Sequence, residues 1–158
     1  MDQRYVDLCI NGDSYRIWVR PHEFLADVLR NKLDLTGTKT ACDMGVCGSC
    51  TVLLDGLPVS SCLTLAVDAE GKEITTIEGL ESADGELHPV QESFLDKGAV
   101  QCGFCTAGMV MTTKGFLDKI PNPTEQEIRQ ALSGNICRCT GYAKIIEAVE
   151  DAAKKMQR

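Results

Sequence analysis

The stretch that decides the fold is residues 42–52, which read CDMGVCGSCTV. Its three cysteines follow the spacing C-x4-C-x2-C, and a fourth cysteine follows after eleven intervening residues. This spacing is typical of plant-type [2Fe–2S] ligands, in which the fourth thiolate comes from later in the chain. Gly45 and Gly48 suit a backbone that wraps closely around negatively charged sulfur, because glycine has no Cβ to collide. The predicted ligands are Cys42, Cys47, Cys50 and Cys62.

Two other interpretations of this first set fit less well. Zinc ligands usually come as C-x2–4-C pairs, and three thiols interleaved with glycines depart from that pattern. Disulfides are rare in a reducing compartment, and the chain has an odd number of cysteines, nine. We therefore favour the iron–sulfur interpretation.

A second set of cysteines lies in QCGFCTAGM, residues 101–109, and GNICRCTGY, residues 134–142. The C-x2-C pair alone would also suit a redox dithiol or half of a zinc site. The C-x-C pair suits zinc less well, because successive side chains diverge. The spacing favours a second [2Fe–2S] cluster, with zinc as the main rival. The predicted ligands are Cys102, Cys105, Cys137 and Cys139, whereas Cys9 is expected to be a packing residue.

Composition and charge narrow the class of protein. The chain has 158 residues and a formal net charge of −7, which argues against nucleic acid and anionic membranes as partners. The start of the sequence lacks a secretory signal pattern, and no apolar stretch is long enough to span a bilayer. A cytoplasmic location is therefore expected, where many cysteines indicate metal or redox chemistry.

The pattern of elements predicts an α+β fold in two parts. Asn-Gly and Asp-Gly turns indicate two hairpins, helical spacing indicates one helix, and a third strand region follows. The second part is all helical, and Thr124 with Glu127 forms a capping-box pattern. We place the domains at residues 1–78 and 79–158. Predicted strands are 4–10, 14–19, 51–54, 57–59 and 73–77, and predicted helices are 23–33, 89–97, 106–119, 124–133 and 144–156.

The three cysteine motifs together resemble the iron–sulfur subunit of the molybdenum hydroxylases, the xanthine dehydrogenase family. The resemblance covers nearly the whole chain, with one departure at Ala107, where the family commonly has proline. Alanine is a good helix former, so the same helix is expected there. The family implies an N-terminal plant-ferredoxin-like (β-grasp) domain and a C-terminal four-helix domain, each holding one [2Fe–2S] cluster.

The resemblance also implies a role and partners. The cluster on the second set of cysteines would lie nearer the molybdenum, and the cluster on the first set would face a flavin subunit or another acceptor. Gln101 would hydrogen-bond the pterin of the molybdenum cofactor, and Cys139 would lie against it. A large partner subunit would hold that cofactor, and FAD would belong to another subunit of the hetero-oligomer.

The chain itself is expected to pass electrons without catalysing bond chemistry. No catalytic motif and no dinucleotide-binding G-x-G-x-x-G is present. The two histidines, His22 and His88, precede or follow prolines and are expected to be solvated loop residues. Two alternatives stay open at this point, namely a free two-cluster ferredoxin and a zinc-binding structural module.

Overall fold

The computed structural model describes residues 4–82 and 84–157. The first half is a five-stranded sheet with one α-helix, and the second half contains four α-helices, as predicted. The strands are β1 (Arg4–Ile10), β2 (Asp13–Val19), β3 (Thr51–Leu54), β4 (Leu57–Ser60) and β5 (Glu73–Thr75). The helices are α1 (Leu25–Lys32), α2 (Pro89–Asp96), α3 (Thr106–Leu117), α4 (Glu125–Ala131) and α5 (Ala143–Lys155).

The strand order in the sheet is β2-β1-β5-β3-β4. β1 and β5 are parallel, while the other neighbours are antiparallel. Both hairpins turn where the sequence predicts, because Asn11-Gly12 and Asp55-Gly56 adopt the positive φ that such turns require. The mixed sheet with one helix packed on it is therefore confirmed.

Two hydrophobic cores lie on either side of β3. Val52 and Leu54 point into the core beneath α1, together with Val6 and Leu8 of β1. Leu53 points the other way and contacts α3 at Gly115. All four residues of β3 are buried for this reason, and the helical half packs directly on the sheet.

The side chain of His88 caps the N-terminus of α2, contrary to the prediction for this residue. His88 is half-buried and its Nδ1 accepts the Val90 backbone N–H at 3.2 Å, while Gln91 accepts from the His88 N–H. The prediction of a solvated loop residue is therefore wrong for His88, because a ring nitrogen can satisfy a free N–H in the first turn of a helix. Burial lowers the pKa of His88, which keeps Nδ1 available as an acceptor.

Other predicted features of this half are present. Thr124 and Glu127 form the capping box at the start of α4, and α3 begins at Thr106 despite Ala107. Lys155 of α5 forms ion pairs with Glu92 and Asp96 of α2, which join the two helices. None of the helices in the described part of the chain has the length and apolar content of a membrane span.

Candidate iron–sulfur sites

The first set of cysteines, here called the N-terminal thiol set, gathers around the loop between α1 and β3. Cys42 and Cys47 lie in this loop and are half-buried, while Cys50 immediately precedes β3 and is buried. The β3–β4 hairpin reverses the chain and returns it to the loop at Cys62, which is also buried. The hairpin thus brings together residues that the sequence separates.

The thiols of this set meet in two pairs. The Cys42 thiol shares a hydrogen bond with that of Cys47, and the Cys62 thiol shares one with that of Cys50. Cys42 and Cys62 also interact electrostatically.

The loop directs backbone N–H groups at these sulfurs. The N–H groups of Met44, Val46 and Cys47 face the Cys42 sulfur. Led by Met44 and helped by the Cys47 thiol, they lower the pKa of Cys42 to about 6. Burial raises the pKa of the Cys62 thiol to about 11, and the Gly45 N–H partly offsets this effect. Such a nest of N–H groups suits thiolates and bridging sulfides, whose negative charge it stabilises.

The second set, here called the C-terminal thiol set, comes from two segments of the chain, each of which leads into a helix. Cys102 and Cys105 precede α3, whereas Cys137 and Cys139 lie in the loop before α5. The sulfurs of Cys102 and Cys139 are 3.5 Å apart, and Cys105 shares a hydrogen bond with Cys137. Here too the thiols form two pairs.

Polar groups also surround the C-terminal thiol set. The Thr140 hydroxyl donates to the Cys137 sulfur at 3.1 Å, and the Thr140 backbone N–H lies 3.4 Å from it. Burial alone would raise the pKa of Cys137, but these Thr140 donors and other N–H groups lower it on balance. The Phe104 N–H similarly lowers the pKa of Cys102, whereas burial raises that of Cys105 to about 12.

The pairwise arrangement of the thiols fits a two-iron cluster. Four thiols in two neighbouring pairs match a [2Fe–2S] unit, in which four thiolates are shared between two irons. The residues of both sets therefore fit this group.

Replacing Thr140 by Val should lower the reduction potential of a cluster on the C-terminal thiol set. The isosteric change removes the hydroxyl donor to the Cys137 sulfur, and this donor favours the more negative, reduced state. A loss of about 1 kcal/mol would correspond to a shift of roughly 40 mV for one electron. A redox titration followed by electron paramagnetic resonance (EPR) measures the shift, with Thr64→Val as a control outside both sets. An unchanged or raised potential would contradict this prediction.

The two thiol sets meet at a junction of backbone groups. The Ile136 N–H donates to the Cys47 carbonyl oxygen at 2.9 Å, and the Asn135 side-chain amide donates to the Gly48 carbonyl oxygen at 3.1 Å. A Cβ on Gly48 would lie 2.5 Å from the Asn135 amide nitrogen, and a Cβ on Gly108 would collide with the Gly48 carbonyl oxygen. Glycine at both positions allows the loop that carries Gly48 to approach α3 closely.

The remaining predicted site residues lie at the surface. Gln101 is exposed beside Cys102, and Cys102 and Cys139 are the two exposed members of the C-terminal thiol set. Phe104 and Ile136 also expose apolar side chains next to these cysteines. The C-terminal thiol set therefore opens towards the outside of this chain. Cys9 lies on β1 opposite Ser14 and is half-buried, outside both thiol sets.

Sequence reasoning missed four residues that shape the sites: Thr140, Tyr142, Asn135 and Gly108. One of them carried a local signal, because a glycine within a helical pattern indicates close packing against a neighbour. The roles of the other three depend on contacts that spacing alone does not indicate.

Two family profiles match the two halves of the chain. The family described as "2Fe-2S iron-sulfur cluster binding domain" matches residues 8–77, and the family described as "[2Fe-2S] binding domain" matches residues 76–150. The chain therefore contains two domains of the kind that bind [2Fe–2S] clusters.

Characterised proteins of similar length resemble the whole chain. It is 51% identical to the nicotine 6-hydroxylase small subunit of Paenarthrobacter nicotinovorans, over 96% of this chain and 90% of that protein. It is 46% identical to the nicotinate dehydrogenase small FeS subunit of Eubacterium barkeri, over 98% of each. The crystal structure of quinoline 2-oxidoreductase from Pseudomonas putida 86 contains a chain with a TM-score of 0.94 and 49% identity, over 99% of this chain and 97% of that one.

Proposed function

The chain belongs to the iron–sulfur small subunits of the molybdenum hydroxylase family, and we propose that it relays single electrons through two [2Fe–2S] clusters. The electrons would pass between the molybdenum–pterin centre of a large subunit and a flavin subunit or an external carrier. As a non-catalytic subunit it would perform no bond chemistry itself. The observation that carries this proposal is the gathering of eight cysteines into two separate sets of paired thiols.

We assign one cluster to each set. Cys42, Cys47, Cys50 and Cys62 would hold the N-terminal cluster, and Cys102, Cys105, Cys137 and Cys139 the C-terminal cluster. Each bound cluster would accept and release one electron at a time. The chain's own groups would set the two potentials, through the N–H groups aimed at Cys42 and the Thr140 donors at Cys137. The domain division at residues 78 and 79 is part of this proposal.

The C-terminal thiol set is the more exposed of the two. Cys102 and Cys139 are exposed beside Gln101, whereas in the N-terminal thiol set Cys42 and Cys47 are half-buried and Cys50 and Cys62 are buried. We propose that this exposed side faces the large subunit, where Gln101 would hydrogen-bond the pterin and Cys139 would lie against it. The N-terminal cluster would face the flavin subunit or another acceptor.

Purification of the native protein under anaerobic conditions tests the proposed function. We expect about four irons per chain, two EPR species after full reduction, and co-elution with a larger molybdenum-containing polypeptide. Elution of the chain alone with its iron would favour a free ferredoxin. A colourless protein containing zinc and no iron would contradict the proposal.

Replacing Gln101 by Ala should slow electron transfer between the subunits and leave both clusters in place. The side chain is exposed and bonds to neither thiol set in the described contacts, so its removal leaves the cluster ligands intact. Loss of one hydrogen bond to the pterin would slow the transfer by up to roughly tenfold. Stopped-flow reduction of the clusters in the assembled complex measures the rate.

The control for this variant is Gln130→Ala, which removes another exposed glutamine amide, on α4. We expect it to leave the transfer rate unchanged. Loss of the C-terminal cluster in Gln101→Ala would show that the assigned role is wrong, because the residue would then be needed for cluster binding.

A further inference from the structure

Tyr142 has an unusual backbone conformation at the entrance to α5. Its φ is +69°, in the left-handed region that an aromatic residue rarely adopts, and it directly follows Gly141 at φ +63°. A residue with a Cβ is strained in this region, whereas a glycine would not be. Such strain persists where the surrounding contacts of the side chain compensate for it. The contacts of the Tyr142 side chain therefore indicate why a tyrosine stands here.

The Tyr142 hydroxyl joins two points of the loop that carries the last two cysteines. It accepts the backbone N–H of Cys137 at 2.9 Å and donates to the backbone oxygen of Asn135 at 3.3 Å. The ring packs against the helical core and is half-buried. The phenol thus fixes the direction of a backbone N–H that belongs to one of the assigned ligands.

The loop before α5 is also bound to the N-terminal half of the chain, through Asn135. Asn135 is buried, and its side-chain amide donates to the carbonyl oxygen of Gly48 in the N-terminal thiol loop. Tyr142 therefore acts on a segment that is already fixed at Asn135. Removal of the phenol oxygen should release the Cys137 N–H without detaching the loop from the rest of the protein.

We propose that Tyr142 is a positioning residue that sets the reduction potential of the C-terminal cluster by binding the Cys137 N–H through its phenol oxygen. This role rests on the proposed function, because it requires a cluster on the C-terminal thiol set. In the native loop the phenol oxygen offsets the positive end of the N–H dipole. Without that oxygen the dipole acts on the nearby thiolate and favours the more negative, reduced cluster. The potential should therefore rise.

Replacing Tyr142 by Phe in the full chain with its partner subunits tests this role. We expect the iron content to stay unchanged and the potential of the C-terminal cluster to shift in the positive direction, opposite to the shift in Thr140→Val. The potential of the N-terminal cluster should stay constant. Redox titration with EPR detection measures both values, and the Cys47→Ser variant identifies which signal belongs to the C-terminal cluster.

The matched control is Tyr5→Phe, which removes a phenol oxygen from an exposed residue of β1. It should change neither potential. A second test keeps the size and shape of the side chain. Replacing all three tyrosines of the chain by 3-fluorotyrosine weakens each phenol oxygen as a hydrogen-bond acceptor. A positive shift is expected there as well, and it should disappear when residue 142 is phenylalanine.

Three results would overturn the role of Tyr142. These are an unchanged potential with full iron content, a shift in the negative direction, and loss of the C-terminal cluster from both the phenylalanine variant and the fluorotyrosine protein. Absence of iron clusters from the unsubstituted protein would overturn the proposed function itself. The two failures are therefore distinguishable.

Discussion

Replacing Cys47 by Ser should remove the N-terminal cluster and leave the C-terminal cluster in place. Cys47 pairs with Cys42, and a serine oxygen is a harder, weaker ligand for iron in a sulfur-rich site than a thiolate. The Cys47 carbonyl that receives the Ile136 N–H belongs to the backbone, so the junction between the halves should survive the change. We expect the iron content to fall by about half and one of the two EPR species to disappear.

The matched control is Cys9→Ser, since Cys9 belongs to neither thiol set. It should retain all of the iron and both EPR species. Simultaneous loss of both species in Cys47→Ser would contradict the assignment of one independent cluster to each set. So would loss of the C-terminal species alone.

Replacing Gly108 by Ala should strongly destabilise the contact between the two halves of the protein. The new Cβ would collide with the Gly48 carbonyl oxygen and lie 3.0 Å from its carbonyl carbon. Both are backbone atoms of the loop that carries the N-terminal thiol set, so no flexible side chain can move aside. Overpacking of this kind costs about 3 kcal/mol. Chemical denaturation of the purified protein measures the change, and the iron content reports damage to the clusters.

Gly134→Ala provides the control for Gly108→Ala. A Cβ at residue 134 would meet no atom within 4 Å. The change should leave the free energy of unfolding within about 0.5 kcal/mol of the original value. Equal stabilities of the two variants would contradict the proposed close approach of α3 to the Gly48 carbonyl.

The local structure could be predicted from the sequence because its signals are local. Asn11-Gly12 and Asp55-Gly56 fix hairpins through their positive φ, and helical spacing of apolar residues fixes α1 and α5. The cysteine spacing likewise predicts two sets of thiols, and thiols within each set lie close to one another in the structure. The predicted ends of the elements differ from the observed ends by one or two residues. The predicted strand 73–77 and helix 124–133 both extend too far, because short 3-10 helices at Ile77–Gly79 and Leu132–Gly134 follow β5 and α4.

The geometry within the sites could not be predicted, because it depends on contacts between distant segments. Cys102 and Cys139 are 37 positions apart, and Asn135 and Gly48 are 87 apart, yet both pairs are in contact. No pattern within one segment indicates which thiol of C-x2-C faces which thiol of C-x-C. His88 illustrates a related difficulty, since its flanking proline suggested a solvated turn while the ring caps α2.

The burial of β3 on both faces has a consequence for how the protein matures. Val52 and Leu54 belong to the core beneath α1, while Leu53 lies under α3, so a truncated sheet half would expose an apolar surface to water. We expect the two halves to unfold as one cooperative unit. Neither half should stay folded after proteolytic separation, and neither should be replaceable by an unrelated domain. Both clusters would then have to be inserted while the two halves fold together.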